Sequence, residues 1–157
     1  MSLQPGDDAP AFQLPHVPGE SPVSLDQLTS DGPAVLLFFP LAWSPVCTQE
    51  LCTVRDDLGR YHELDARVVG ISVDSPFALQ AWAKDQGFDF PLLSDFNGDA
   101  SRAYGALYDE FFGMKGVSKR AAFVVDEDGV VRYAEVLEDA SKVPDLDAVR
   151  KVLRDLG

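Results

Sequence analysis

Phe38-Phe39-Pro40-Leu41-Ala42-Trp43-Ser44-Pro45-Val46-Cys47-Thr48-Gln49-Glu50-Leu51-Cys52 begins as an apolar run, breaks at a proline and resumes with residues that start helices. Ser44 is a favoured N-cap residue. Pro45 then falls at the first helical position, where its missing N–H costs nothing. That register puts Cys47 in the first turn, near the positive end of the helix dipole and its free N–H groups. Such a place favours thiolate, the form of sulfur that attacks. An isolated cysteine is more often buried packing. The Ser-Pro-x-Cys start and a second cysteine five positions on argue for chemistry here. The stretch reads as a strand that delivers a reactive cysteine onto a helix N-terminus.

The flanking sequence fits that reading. Ala34 to Phe39 is a continuous apolar run bounded by Asp31-Gly32-Pro33, which predicts a central strand buried on both faces. Pro45 to Leu64 reads as one helix, with Cys47, Leu51, Val54, Leu58, Tyr61 and Leu64 on one apolar stripe. Arg67 to Val73 is the next strand. Ser75-Pro76 opens a second helix that ends near Gly87, with Asp74 or Ser75 as its cap. Phe90 to Leu93 is a short extended piece, and Gly98 to Tyr104 a short helix stopped by Gly105. Leu107 to Lys119 reads as a partly apolar loop carrying Phe111, Phe112 and Met114. Ala121 to Val125 and Val130 to Val136 are strands joined by Asp126-Glu127-Asp128-Gly129, a hairpin signal. Pro144 to Leu156 closes the chain as a helix. Before the central strand, residues 1–33 are rich in proline and glycine, with short strands at Phe12–Leu14 and Val23–Leu25.

A strand–helix–strand start implies parallel pairing and a right-handed crossover, and the hairpin adds antiparallel strands to the same sheet. The expectation is an α/β domain with a mixed central sheet and helices on both faces, spanning residues 1–157 as one unit.

Composition narrows the function. The chain has 157 residues, 46% of them hydrophobic, which is enough to build a core without disulfide staples. Twenty-six acidic against 13 basic residues give a net charge of −13, which argues against nucleic acid and anionic membranes as partners. Two cysteines are too few for a secreted disulfide scaffold of this length. The stretch Met1 to Asp8 shows no basic region followed by an apolar one, and Ala34 to Trp43 is too short to span a bilayer. A cytoplasmic protein is expected. His16 and His62 do not fall at a metal spacing with the cysteines, so no metal or other cofactor is called for.

Pro40-x-x-x-Ser44-x-x-Cys47, after an apolar strand and before a helix, resembles the peroxiredoxin signature. Arg120, in an Arg-x-x-Phe-x-x-Asp-x-x-Gly run with Phe123, Asp126 and Gly129, resembles that family's setting for its active-site arginine. Val73-Asp74-Ser75-Pro76 and Phe90 to Asp95 extend the likeness over nearly the whole chain. The body is most similar to the alkyl hydroperoxide reductase E group. The Cys47-x-x-x-x-Cys52 spacing is similar to the bacterioferritin comigratory (PrxQ) group.

The resemblance implies a thioredoxin-like fold and a peroxidase that reduces hydrogen peroxide and organic hydroperoxides. Cys47 would become a sulfenic acid as the peroxide bond breaks. Arg120 would stabilise the thiolate and the developing oxygen charge. Pro40 would shape the pocket and shield the sulfur from water. Ser44 replaces the family's more usual threonine and keeps the hydroxyl. That hydroxyl could accept a capping bond from the Cys47 N–H while donating to the peroxide. Glu50 would help orient the arginine, or be an exposed helix carboxylate. Arg55 would be a second pocket cation or a surface residue. Trp43 would be a pocket wall or a dimer contact, and Trp82 core.

Cys52 raises a geometric question. Five residues along an ideal helix separate two Cα atoms by about 8.7 Å, whereas a disulfide tolerates about 4.4–6.8 Å. An internal bridge therefore requires the first turns to unwind. On the family precedent Cys52 would resolve the sulfenic acid, and thioredoxin or a similar dithiol would reduce the bridge. The alternatives are an external thiol that resolves Cys47, a thiol–disulfide oxidoreductase lacking the usual Cys-x-x-Cys, and a peroxide-sensing switch protein. A homodimer is expected, with a monomer as the alternative.

Overall fold

The structure is a computed structural model that describes residues 3–156. The reading of the first residues, Met1 and Ser2, and the last position of the 1–157 span lie outside them. The central sheet has five strands: β3 (Ala34–Phe38), β4 (Arg67–Ser72), β5 (Leu92–Ser94), β6 (Arg120–Val125) and β7 (Val131–Leu137). Their order is β5-β4-β3-β6-β7. β3 runs parallel to β4 and antiparallel to β6, β4 is parallel to β5, and β6 and β7 form the expected antiparallel hairpin. The sheet is mixed, as the element order predicts.

β3 is the middle strand, and every residue in it is buried. Its alternate side chains feed two separate cores. Val35 and Leu37, with Phe39 just beyond the strand, pack under α2 (Pro45–Asp56), α3 (Leu58–Glu63), α4 (Pro76–Gln86) and α6 (Leu146–Leu156). Ala34, Leu36 and Phe38 pack on the opposite face against α1 (Leu25–Leu28), α5 (Asp99–Ala103) and the small β1 (Gln13–Leu14)–β2 (Val23–Ser24) ribbon. Helices cover both faces, which is why the strand reads as an unbroken apolar run. Gly70 of β4 sits close beneath this packing. A Cβ there would sit 2.7 Å from Leu92 Cδ2 and 3.1 Å from Phe39 Cε1.

Three elements depart from expectation. The single helix over 45–64 is two helices, because Asp57 leaves helical geometry at φ −104°, ψ 10°. Its N–H closes α2 onto the Thr53 and Val54 carbonyls. The stripe survives the break, since Leu58 and Tyr61 remain buried in the same core as Cys47, Leu51 and Val54. The short helix α1 was not anticipated. It is held by a capping box in which Ser24 and Gln27 satisfy each other's backbone N–H groups, a Ser-x-x-Gln signature visible in the sequence. The closing helix starts at Leu146 rather than Pro144. No helix among the described residues is long and apolar enough to cross a membrane.

Candidate active site

The site forms where the C-terminal end of β3 turns into α2. Pro45 occupies the first turn of α2, and Thr48 N–H donates to the Ser44 carbonyl as the first helical bond. Cys47, Glu50, Leu51 and Val54 are the buried residues of the helix, an i, i+3, i+4, i+7 face turned to the sheet. Cys47 is 0% exposed. Cys52 lies off that face and is partly exposed.

β6 begins with Arg120, next to β3, and its side chain reaches the start of α2. Nη2 donates to Cys47 Sγ at 3.2 Å, and Nη1 donates to Glu50 Oε1 at 2.7 Å. Nε and Nη2 also donate to the Ala140 carbonyl, at 3.2 and 3.0 Å. Arg120 is 1% exposed and Glu50 2%. A buried guanidinium thus holds two acidic side chains and one carbonyl. Burial opposes its charge, but facing Cys47 and Glu50 outweighs that, so its pKa lies above the ordinary arginine value. Burial dominates at Glu50 and pushes its pKa up to about 7 against the pull of Arg120, with Glu135 adding to the rise. Glu50 Oε2 has no hydrogen-bond partner among the described residues, so the carboxylate is only half satisfied there.

Beside this cluster is a pocket of about 560 Å³. Pro40, Ser44 and Arg120 line it together with Leu41, Val46, Tyr108, Phe111, Phe112 and Met114. One local and one long-range feature order the aromatic side. Phe111 and Met114 exchange backbone hydrogen bonds across a tight turn, and the Tyr108 hydroxyl donates to the Glu138 carbonyl. The predicted loop over 107–119 is therefore tied to the end of β7.

Of the residues singled out from sequence, Pro40, Ser44, Cys47 and Arg120 come together here, and Cys52 sits outside the pocket. One expectation is corrected. Ser44 makes no side-chain capping bond; its Oγ donates to the Leu41 carbonyl at 2.9 Å, so the hydroxyl is turned back along the loop rather than into the helix. Glu50 is not an exposed carboxylate: the period that put Cys47, Leu51 and Val54 on one face puts it there too. Arg55 is not in the pocket. It pairs with Asp56 and donates to the Gln86 carbonyl. Trp43 does not line the pocket and is 53% exposed, while Trp82 is core. Ala140 escaped sequence reasoning, because a backbone carbonyl leaves no side-chain signal.

Comparison with known proteins gives the family. Residues 5–134 match the AhpC/TSA family. Alkyl hydroperoxide reductase E of Mycobacterium tuberculosis is 38% identical over 85% of this chain and 86% of its own. The crystal structure of peroxidoxin BcpB from the same organism superposes with a TM-score of 0.88, at 35% identity and 99% coverage of both chains. Peroxiredoxin Q of Xanthomonas campestris gives 0.78 at 26% identity, covering 92% of this chain and 90% of that one. Fold and relatives together define a thiol peroxidase with a thioredoxin-like architecture. The chain belongs to the AhpC/TSA family, the peroxiredoxins.

Proposed function

We propose that Cys47 is the peroxidatic residue and Arg120 its activating partner, with residues 1–157 working as one domain. The reading rests on one observation: a guanidinium N–H aimed at Sγ from 3.2 Å, in the first turn of a helix. Sulfur attacks the far peroxide oxygen, an S–O bond forms and the O–O bond breaks. Two electrons pass from sulfur to the peroxide, and the leaving oxygen departs as alcohol or water after taking a proton. Arg120 offsets the charge that develops on the oxygens. Pro40 and Ser44 line the pocket beside the sulfur, and the Ser44 hydroxyl must leave the Leu41 carbonyl before it can donate to a peroxide. The sulfur has no exposed surface, so a peroxide reaches it as neighbouring side chains part.

The apolar wall of Tyr108, Phe111, Phe112 and Met114 supports organic hydroperoxides as substrates alongside hydrogen peroxide. Cys52 then attacks the sulfenic sulfur, an S–S bond forms and water leaves. Thioredoxin or a similar dithiol reduces the bridge. Both cysteines are free and lie within one unbroken helix, so this step needs α2 to unwind locally. The same separation favours a second reading, in which an external thiol resolves Cys47. Exposed Trp43 and Phe112, beside the site, support a homodimer.

Peroxide consumption by wild type and Cys47→Ser tests the central assignment. Loss of turnover in the variant is expected, and turnover equal to wild type would overturn it. Mass spectrometry after one equivalent of peroxide separates the two resolving routes. An internal bridge supports Cys52, whereas an adduct on Cys47 with Cys52 still free supports the external thiol.

A further inference from the structure

The loop between β3 and α2 is clamped from outside by one side chain. Asp74 follows β4, and its Oδ2 accepts from Ala42 N–H at 2.7 Å, 32 residues away in sequence, and from Ser72 Oγ at 2.7 Å. Asp74 is itself fixed twice. Its N–H donates to Ser72 Oγ at 3.2 Å, and its carbonyl accepts from Ser94 Oγ, beyond β4 on β5, at 2.6 Å. Two parallel strands of the sheet therefore hold the carboxylate that holds the loop. The helix-start role anticipated for Asp74 or Ser75 falls to Ser75, which accepts from Ala78 N–H. That leaves the Asp74 carboxylate for Ala42.

The clamped residue precedes a strained one. Trp43 has φ +71°, in the left-handed region where a residue with a side chain is rarely found. It is the second central residue of the turn over Ala42–Trp43. Nothing in the Trp43 side chain explains this, since it is largely exposed. The bond from Ala42 N–H to Asp74 fixes the peptide that leads into this turn. Ser44, Pro45 and the first turn of α2 follow directly.

The geometry points to Asp74 as a positioning residue: a latch that holds the Pro40–Ser44 loop, and with it the first turn of α2, in the wound arrangement that presents Cys47 to Arg120. This builds on Cys47 as the peroxide-reactive residue. The latch favours the step that needs the wound helix, attack on peroxide. It opposes the step that needs an unwound one, bonding of Cys47 to Cys52. Releasing it moves the two steps in opposite directions, an effect that general loss of structure does not produce.

The test compares wild type, Asp74→Asn and Asp74→Ala. Asparagine keeps an oxygen acceptor without the charge and falls between the other two. In the reduced protein, amide hydrogen exchange over residues 41–52 is expected to speed up about tenfold in Asp74→Ala, as for loss of one charge-assisted bond, with β3 and α6 unchanged. Stopped-flow sulfenic acid formation should slow by a similar factor, and quenched mass spectrometry should show faster disulfide formation. Exchange that stays at the wild-type rate, or rises equally throughout the chain, overturns the latch, as does a fall in both chemical steps together. If wild type forms no internal bridge, the role given to Cys52 fails, and the exchange pattern with the sulfenic acid rates still decides on Asp74. If Cys47→Ser turns over normally, the peroxidatic assignment fails, while the exchange pattern still reports whether Asp74 holds the loop.

Discussion

Cys47 and Glu50 stand one helical turn apart on the buried face of α2 and accept hydrogen bonds from the two terminal nitrogens of one guanidinium, at 3.2 and 2.7 Å. One buried cation faces two groups that can each become an anion. The site's charge balance therefore depends on where protons sit, and the removal of any one member exposes the others.

Arg120→Lys is expected to slow attack on peroxide about 100-fold, because one ammonium cannot serve Sγ, Glu50 and the Ala140 carbonyl together. The second-order rate constant, read by stopped flow, checks this. A rate near wild type would remove Arg120 from the chemistry. Arg120→Ala should also destabilise by about 1–3 kcal/mol, since it leaves Glu50 Oε1 and the Ala140 carbonyl without their donor.

Glu50 makes stability depend on pH with a definite sign. Its folded pKa, raised to about 7 from 4.5, means the folded protein keeps a proton there that the unfolded chain has released. Between those two values stability falls as pH rises, by up to about 1.4 kcal/mol per unit from this group, and it levels off above 7. Glu50→Gln keeps an acceptor for Nη1 and removes the titration. The difference in melting temperature between variant and wild type should therefore grow in the variant's favour from pH 5 to 8. A difference independent of pH would show that Glu50 stays ionised when folded.

Phe112 is 88% exposed, with φ +50°, at the apolar edge of the pocket. Phe112→Ser should leave the melting temperature within a few degrees and raise KM for cumene hydroperoxide about threefold, through lost apolar contact, with hydrogen peroxide unaffected. Equal changes for both peroxides would mean that the aromatic edge does not select substrate.

Cys52 donates to Gln86 Oε1 at 3.4 Å, across to the last residue of α4. Cys52→Ser preserves that bond and should leave the first attack on peroxide within about twofold of wild type, since a neutral surface-side contact is worth little. The same variant should accumulate sulfenic and then sulfinic acid on Cys47 under repeated peroxide, detected by intact mass. Protection of Cys47 equal to wild type would assign the resolving thiol elsewhere.

Packing at Gly70 provides a control away from the chemistry. Gly70→Ala forces a methyl against Leu92 and Phe39 and should cost about 1–3 kcal/mol in denaturant unfolding. An unchanged midpoint would mean that the β4 face is looser than its distances indicate.

Much of this was legible in the chain because it is written in local rules. A cap residue followed by proline sets a helix start whatever lies around it, so Ser44-Pro45 alone places Cys47 in a first turn. Apolar runs and periods likewise announce β3, the hairpin and the buried stripe of α2. Local rules end where partners are distant. Arg120 lies 73 residues from Cys47, Asp74 lies 32 from Ala42, and the Ala140 carbonyl carries no side-chain mark. Which acceptor the Ser44 hydroxyl chooses, and whether the carboxylate of Glu50 is wet or dry, depend on what the sheet brings beside them. Burial and hydrogen-bond partnership are properties of assembled neighbours. The chain by itself determined where the sulfur starts a helix, and only the tertiary structure decided which charges it shares that place with.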